Sequence, residues 1–165
     1  MKVFQTITDI LNRILLVASL SILAVMVLVI IYQVFSRQIL GSAPAWSEEV
    51  SRLLFVWVSF LGIAYGFREK LHIGVGVLID RLPKNVQNIF DYFAKVLVIG
   101  LGCILFYYGW QFTVLTSSST MPATGMPSSV LYASIPVSGF FVVLNGVELL
   151  FRKGMHQDLE DVSEV

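Results

Sequence analysis

One short run concentrates the charged chemistry of this chain: Trp46-Ser47-Glu48-Glu49, two intervening positions, then Arg52. On a helix, Glu48 and Arg52 stand four residues apart and Glu49 and Arg52 three apart, so either carboxylate can pair with the guanidinium along one surface. Two acids and one base leave a negative charge over. Arg37, at the end of a long apolar run upstream, is the nearest candidate in the chain to balance it. A basic residue of a partner protein is the alternative. Such a network either stabilises a helix end at the membrane surface or meets a partner, and the residues leave both readings open. Trp46 fits an interfacial aromatic anchor.

Other reactive side chains are sparse. His72 and His156 fall in polar segments, whereas a bis-histidine haem needs ring nitrogens inside the apolar spans. Cys103 is the single cysteine, which leaves no disulfide framework and no CxxC motif. Its apolar surroundings predict a small buried hydrophobe. No metal-ligand spacing and no nucleophile-base set can be drawn, so neither a metal, a cofactor nor an enzyme is expected. Glu148 has Arg152 four residues on, the spacing of an interfacial salt bridge. A small four-span antiporter would instead carry a carboxylate in mid-span. The chain also lacks a duplicated half with interrupted helices, the usual mark of a transporter's binding site. Its 11 basic and 11 acidic residues cancel, so a footprint for nucleic acid is absent.

The elements that position these residues follow from where charge is missing. The chain is 56% hydrophobic and 13% charged, against roughly 45–50% and about 25% for a soluble domain. Ile14 to Ser36 is a run of 23 residues without a charge, enough helix to cross a hydrocarbon core of ~30 Å. It is too long for the apolar region of a signal peptide, and Ala43-Pro44-Ala45 lies too far downstream to be its cleavage site. Leu53 to Phe67 is free of charge for only 15 residues, so the second span extends back over Ser47, Glu48, Glu49 and Arg52, whose charges should sit at the interface or against protein. A further 52 uncharged residues, Val96 to Val147, are divided by Ser117–Pro127, where small polar residues, Pro and Gly mark a loop. The reading is an all-α integral membrane protein, one domain over 1–165, with four transmembrane helices at about 14–36, 47–67, 89–116 and 129–151. Pro136 predicts a kink in the fourth.

Between spans two and three, Leu71, Val75, Leu78, Ile79 and Leu82 follow the spacing of a short interfacial amphipathic helix, with an irregular loop as the rival. Pro83 suits the start of the third helix. Residues 152–165 carry four acids and read as a tail. Nine lysines and arginines fall on the side of both termini and two, Arg37 and Arg52, on the other, which predicts cytoplasmic termini.

Glycine supplies the last pattern. Gly62-Ile63-Ala64-Tyr65-Gly66 is a small-xxx-small motif in span two, and Ser59 extends the stripe by a turn. Gly100, Gly102 and Gly109 lie in span three, Gly139 and Gly146 in span four. Small residues let helix backbones approach, and the motif alone does not say whether the partner is internal or another subunit.

Several of these residues carry a resemblance. Ala45-Trp46-Ser47-Glu48-Glu49 with Arg52, Trp57 with Phe60-Leu61-Gly62, Arg68 and His72-Ile73, and Thr124-Gly125-Met126-Pro127 leading to Tyr132, Ile135 and Pro136 resemble the DctQ-like small membrane subunit of tripartite ATP-independent periplasmic (TRAP) transporters. The matches run from about residue 10 to 152. The resemblance implies a bacterial inner-membrane symporter. In it a large multi-span subunit carries substrate and sodium, and a periplasmic binding protein delivers an organic acid of the sialic acid or C4-dicarboxylate class. The small subunit is then a scaffold in contact with the large subunit and membrane lipids, and it needs no internal site. It gives the loop residues Thr120, Met121, Pro122, Thr124, Gly125, Met126 and Pro127 a use as surface for the periplasmic protein. The rival is a self-sufficient four-helix antiporter or channel, and an intramembrane redox protein comes third.

Overall fold

A computed structural model describes residues 2–70 and 84–151. The elements are α1 (Lys2–Leu40), α2 (Ala45–Lys70), α3 (Lys84–Leu115), a single 3-10 turn (Thr116–Ser118), the one-turn α4 (Ser129–Tyr132) and α5 (Ser134–Phe151). Four stretches are long and apolar enough to cross a membrane: Thr6–Leu40, Ala45–Phe67, Tyr92–Ser118 and Ser129–Leu149. The chain is thus an all-α membrane protein with four spanning helices. The expected interfacial helix, Pro83, both histidines, Arg152 and the 152–165 tail lie outside the described residues.

Helices α1 and α2 form one hairpin, and α3 and α5 form another. Gly41 ends α1 in the left-handed region (φ +74°), where a glycine meets no Cβ penalty, and the chain reverses within four residues into α2. α1 packs on α2, α2 on α5, and α5 on α3. The central member is therefore α5, the last in sequence.

The inward seam of α1 mixes polar and apolar residues, and its outward surface is apolar. Thr8, Asn12, Leu15, Ser19 and Ser36 are buried along one seam, and Ile22, Met26, Val29 and Gln33 continue it half-buried. These positions recur every three or four residues, the seam of helices crossing at a shallow angle. Leu20, Leu28, Val34 and Phe35 point outward. Lipid tails are as apolar as leucine, so burying leucine gains little there, and close packing and hydrogen bonds hold helices together. One such set lies deep in the chain. Asn12 Nδ2 donates to Asn145 Oδ1 (2.7 Å), and Asn145 Nδ2 donates to Asn12 Oδ1 (3.1 Å) and to the Ala64 carbonyl (3.3 Å). The pair joins α1, α2 and α5 at one point. Glu148, a turn beyond Asn145, is only 4% exposed and lies inside the helix packing.

Between α3 and α5 the seam is built from glycine. A Cβ at Gly139 would sit 2.6 Å from the Phe106 amide nitrogen and 3.0 Å from the Gly102 carbonyl oxygen. One at Gly109 would meet Pro136 N at 2.9 Å, one at Gly102 Val143 N at 2.9 Å, and one at Gly146 Ile99 Cγ1 at 2.7 Å. Gly102 and Gly109 are seven residues apart, as are Gly139 and Gly146, so each helix presents its glycines on one face two turns apart. Cys103, beside this seam, is exposed on the outer side of α3. The burial expected from its apolar neighbours does not occur, because in a membrane protein an apolar run also covers the lipid-facing surface.

The fourth span is disturbed where Pro136 predicts it: the α-helix is interrupted at the single residue Ala133, which keeps helical dihedrals, with its N–H donating to the Ser129 carbonyl and its carbonyl accepting from Val137 N–H. Proline has no N–H for the carbonyl of Tyr132 and its ring crowds that carbonyl. The Ser134 hydroxyl donates to the Leu131 carbonyl across the interruption, and the Ser138 hydroxyl donates to the Ile135 carbonyl one turn further on.

Candidate functional site

The charged cluster sits in the first turns of α2. Ser47, fully buried, donates through its hydroxyl to the Pro44 carbonyl and fixes the helix start. Carboxylates here face the positive end of the helix dipole, which favours two acids in succession. Trp46 stacks on Tyr32 of α1 with ring centroids 5.7 Å apart, so the aromatic anchor also ties α1 to α2.

The two carboxylates part company. Arg52 Nη2 lies 3.2 Å from Glu48 Oε1, with the side chains 64% and 68% exposed. Exposed pairs of this kind contribute about 0–1 kcal/mol. Glu49 turns toward the loop between α3 and α4. Its Oε1 accepts the Ala123 N–H at 2.8 Å, and its Oε2 accepts the Thr124 N–H and the Thr124 hydroxyl, each at 2.8 Å. Of the two pairings that the spacing allows, Glu48–Arg52 forms, and Glu49 is the carboxylate left over. Arg37 is exposed and forms no ion pair among the described residues; the leftover carboxylate is satisfied by backbone amides and not by a cation. These bonds are charge-assisted, the class that is short and about twice as strong as neutral ones.

The loop is built to meet that carboxylate. Ser128 N donates to the Ser119 carbonyl (2.7 Å), Met121 N to the Met126 carbonyl (2.8 Å) and Gly125 N to the Met121 carbonyl (2.8 Å). Gly125 makes the return at φ +70°. The result is a small closed hairpin whose tip amides at Ala123 and Thr124 point toward α2. Met121 is buried and anchors it, while Thr120, Pro122, Gly125, Met126 and Pro127 are exposed and Thr124 half-buried. An open cleft of about 820 Å³ runs between α2 and the hairpin, bordered by Glu48, Glu49, Arg52, Val56, Met121 and Tyr132. Trp57 Nε1 donates to the Val130 carbonyl at 2.9 Å and Tyr132 meets Phe112 edge-on at 4.6 Å, so α2 and α3 both clamp α4 below the cleft.

The second set, Ser59, Gly62 and Gly66, occupies a different face. Gly62 is exposed and Gly66 half-buried, and a Cβ at either would meet nothing within 4 Å. The Ser59 hydroxyl turns back to the Phe55 carbonyl (2.8 Å) and takes no partner from another helix. Among the described residues no side chain or backbone closes on Gly62 or Gly66, and the close contacts belong to the glycines of α3 and α5. Reasoning from the sequence missed the Glu49–loop bonds, the Trp57–Val130 bond and the Asn12–Asn145 pair. Asn145, the one amide side chain in the fourth span, was the signal for the last.

Comparison with known proteins agrees with this architecture. Residues 26–154 match the family described as tripartite ATP-independent periplasmic transporters, DctQ component. The chain is 30% identical over 139 residues to a putative TRAP transporter small permease protein of Haemophilus influenzae, covering 84% of this chain and 86% of that one. It is 30% identical over 119 residues to the C4-dicarboxylate TRAP transporter small permease protein of Rhodobacter capsulatus, covering 67% and 50%. It is 27% identical over 121 residues to the sialic acid TRAP transporter permease protein SiaT of another H. influenzae strain, covering 73% of this chain but 20% of that much longer one. With its four spans, its acidic helix start and its tethered hairpin, this chain belongs to the DctQ family of TRAP transporter small permease subunits.

Proposed function

We propose that this chain is the scaffold subunit of a sodium-coupled, binding-protein-dependent symporter for organic acids in a bacterial inner membrane. The observation that carries the reading is the open face of α2. The apolar windows of α1 and α2 are equally little buried, 11% each, yet their mean hydropathies are 3.2 and 1.6. The outer side of α1 suits lipid. That of α2, with Ser59, Gly62 and Gly66, suits the backbone of another helix, since small residues allow close approach. The large permease subunit is the partner of matching chemistry. A relative in which this region forms a fifth of a longer permease chain supports a shared assembly.

By the distribution of lysine and arginine, both termini lie in the cytoplasm and the hairpin at 119–128 in the periplasm. The hairpin then offers its uncharged rim, Pro122, Met126 and Pro127, to the periplasmic binding protein. Relatives named for sialic acid and for C4-dicarboxylate support a carboxylate-bearing substrate. Reconstitution tests the reading. Proteoliposomes with the large subunit, this chain, the binding protein and a sodium gradient should take up substrate, and omission of any one should abolish uptake. Uptake by this chain alone would establish the self-sufficient antiporter or channel instead.

A further inference from the structure

We infer that Glu49 is a positioning residue for the periplasmic partner: its carboxylate holds the 119–128 hairpin in the one conformation that the binding protein recognises. The inference rests on the docking role proposed for that hairpin.

The geometry assigns Glu49 a task distinct from that of its neighbour. Glu48 lies on the exposed side of α2 and meets only Arg52. Glu49 reaches across to a segment 74 residues away in sequence and takes three hydrogen bonds, two of them from consecutive backbone amides. Those amides form the tip of the hairpin, where its own ladder cannot satisfy them: Met121, Gly125 and Ser128 supply the internal N–H donors. No charge lies between Val96 and Val147, so the hairpin has no ionic means of attachment of its own. It is anchored from below by Met121 and Tyr132 and clipped from the side by Glu49, which leaves Pro122, Met126 and Pro127 facing outward as a fixed rim. A rim ordered before encounter does not pay the cost of ordering on binding, so removal of the clip should appear in affinity for the partner and not in the transport step itself.

Glutamine at 49 is the sharpest probe. It keeps the size of the side chain but has one acceptor oxygen where the carboxylate has two, and it sets an NH₂ donor against an amide N–H. Loss of one charge-assisted hydrogen bond corresponds to about tenfold in an equilibrium constant. The experiment uses the assembled two-subunit membrane complex in proteoliposomes with its own binding protein. Two readouts are taken: hydrogen exchange over residues 119–128, and uptake as a function of binding-protein concentration. Glu49→Gln should speed exchange at Ala123 and Thr124 about tenfold and raise the half-saturating binding-protein concentration by a similar factor. The uptake rate at saturation should stay within about twofold. Thr124→Val, which removes only the hydroxyl bond, should give a smaller change in both readouts, and Thr124→Ser should restore them. Unchanged exchange in Glu49→Gln would show that the clip does not hold the hairpin, and would overturn the inference. Faster exchange with an unchanged half-saturating concentration would overturn it as well. Met126→Asp on the exposed rim separates the two levels. If it raises the half-saturating concentration while Glu49→Gln does not, the docking reading stands and the role of Glu49 fails; if neither does, the docking reading fails too.

Discussion

Two glycine-lined surfaces of this molecule look alike in sequence and differ in every other respect. On the seam between α3 and α5, Gly102, Gly109, Gly139 and Gly146 are filled by the neighbouring helix down to backbone contact. On α2, Gly62 and Gly66 have the same lack of bulk and nothing against them. A small-residue motif therefore records that a backbone comes close without recording whose backbone it is. The difference in surroundings supplies the missing information. The filled seam lies on the helix with the largest buried share, 39% of its apolar window; the open stripe lies on the span of lowest hydropathy, at 11% buried.

The comparison can be broken most forcefully at Gly139. A side chain there meets backbone atoms of α3 on several sides, and backbone cannot step aside as a flexible side chain can. Gly139→Leu should cost more than the ~1–3 kcal/mol typical of an overpacked core, and should abolish accumulation of the folded chain. Its thermal unfolding in detergent, or failure to be recovered at all, checks this. Near-normal stability would mean that the α3–α5 seam is looser than drawn. A milder effect is expected for Asn145→Ala, which leaves Asn12 facing a void. About 0.6–2 kcal/mol should be lost, the range for interhelical hydrogen bonds in membranes, and α1 should become the first helix accessible to limited proteolysis. Arg52→Ala removes an exposed pair and should shift stability by about 0–1 kcal/mol, with the hairpin still held, since the hydrogen bonds to Glu49 come from Ala123 and Thr124. Ile63→Leu, beside the open stripe but exposed and similar in volume, marks the baseline and should change neither stability nor assembly.

The sequence makes parts of this architecture legible for specific reasons. Gaps in charge set the four spans because hydrocarbon excludes unpaired charge wherever the helices go. Ser117–Pro127 reads as a loop because Pro, Gly and short polar residues act locally. Glu49 could not be assigned in this way. Spacing along one helix ranks Arg52 as a partner for both carboxylates, and the amides that win lie 74 residues away. Pro136 announces a disturbed helix, and the interruption falls at Ala133, within the turn whose Tyr132 carbonyl the proline leaves without its donor. Cys103 shows the same limit in reverse: an apolar neighbourhood means burial in a soluble core but not in a lipid-facing helix. The heptad spacing of Gly102 and Gly109 and of Gly139 and Gly146 was present to be read, and its partner helix could be named only once the two faces were seen together.

The most direct test of the scaffold account is Gly62→Leu, made in this chain and co-expressed with the large permease subunit. A Cβ at 62 meets nothing within 4 Å among the described residues, so the isolated subunit should fold and melt as the unmodified one does. If the open stripe receives the large subunit, the added bulk blocks close approach, and co-purification of the large subunit should fall about tenfold or more while the small subunit is recovered in full. Unchanged co-purification together with unchanged transport would contradict the account and return this face of α2 to lipid.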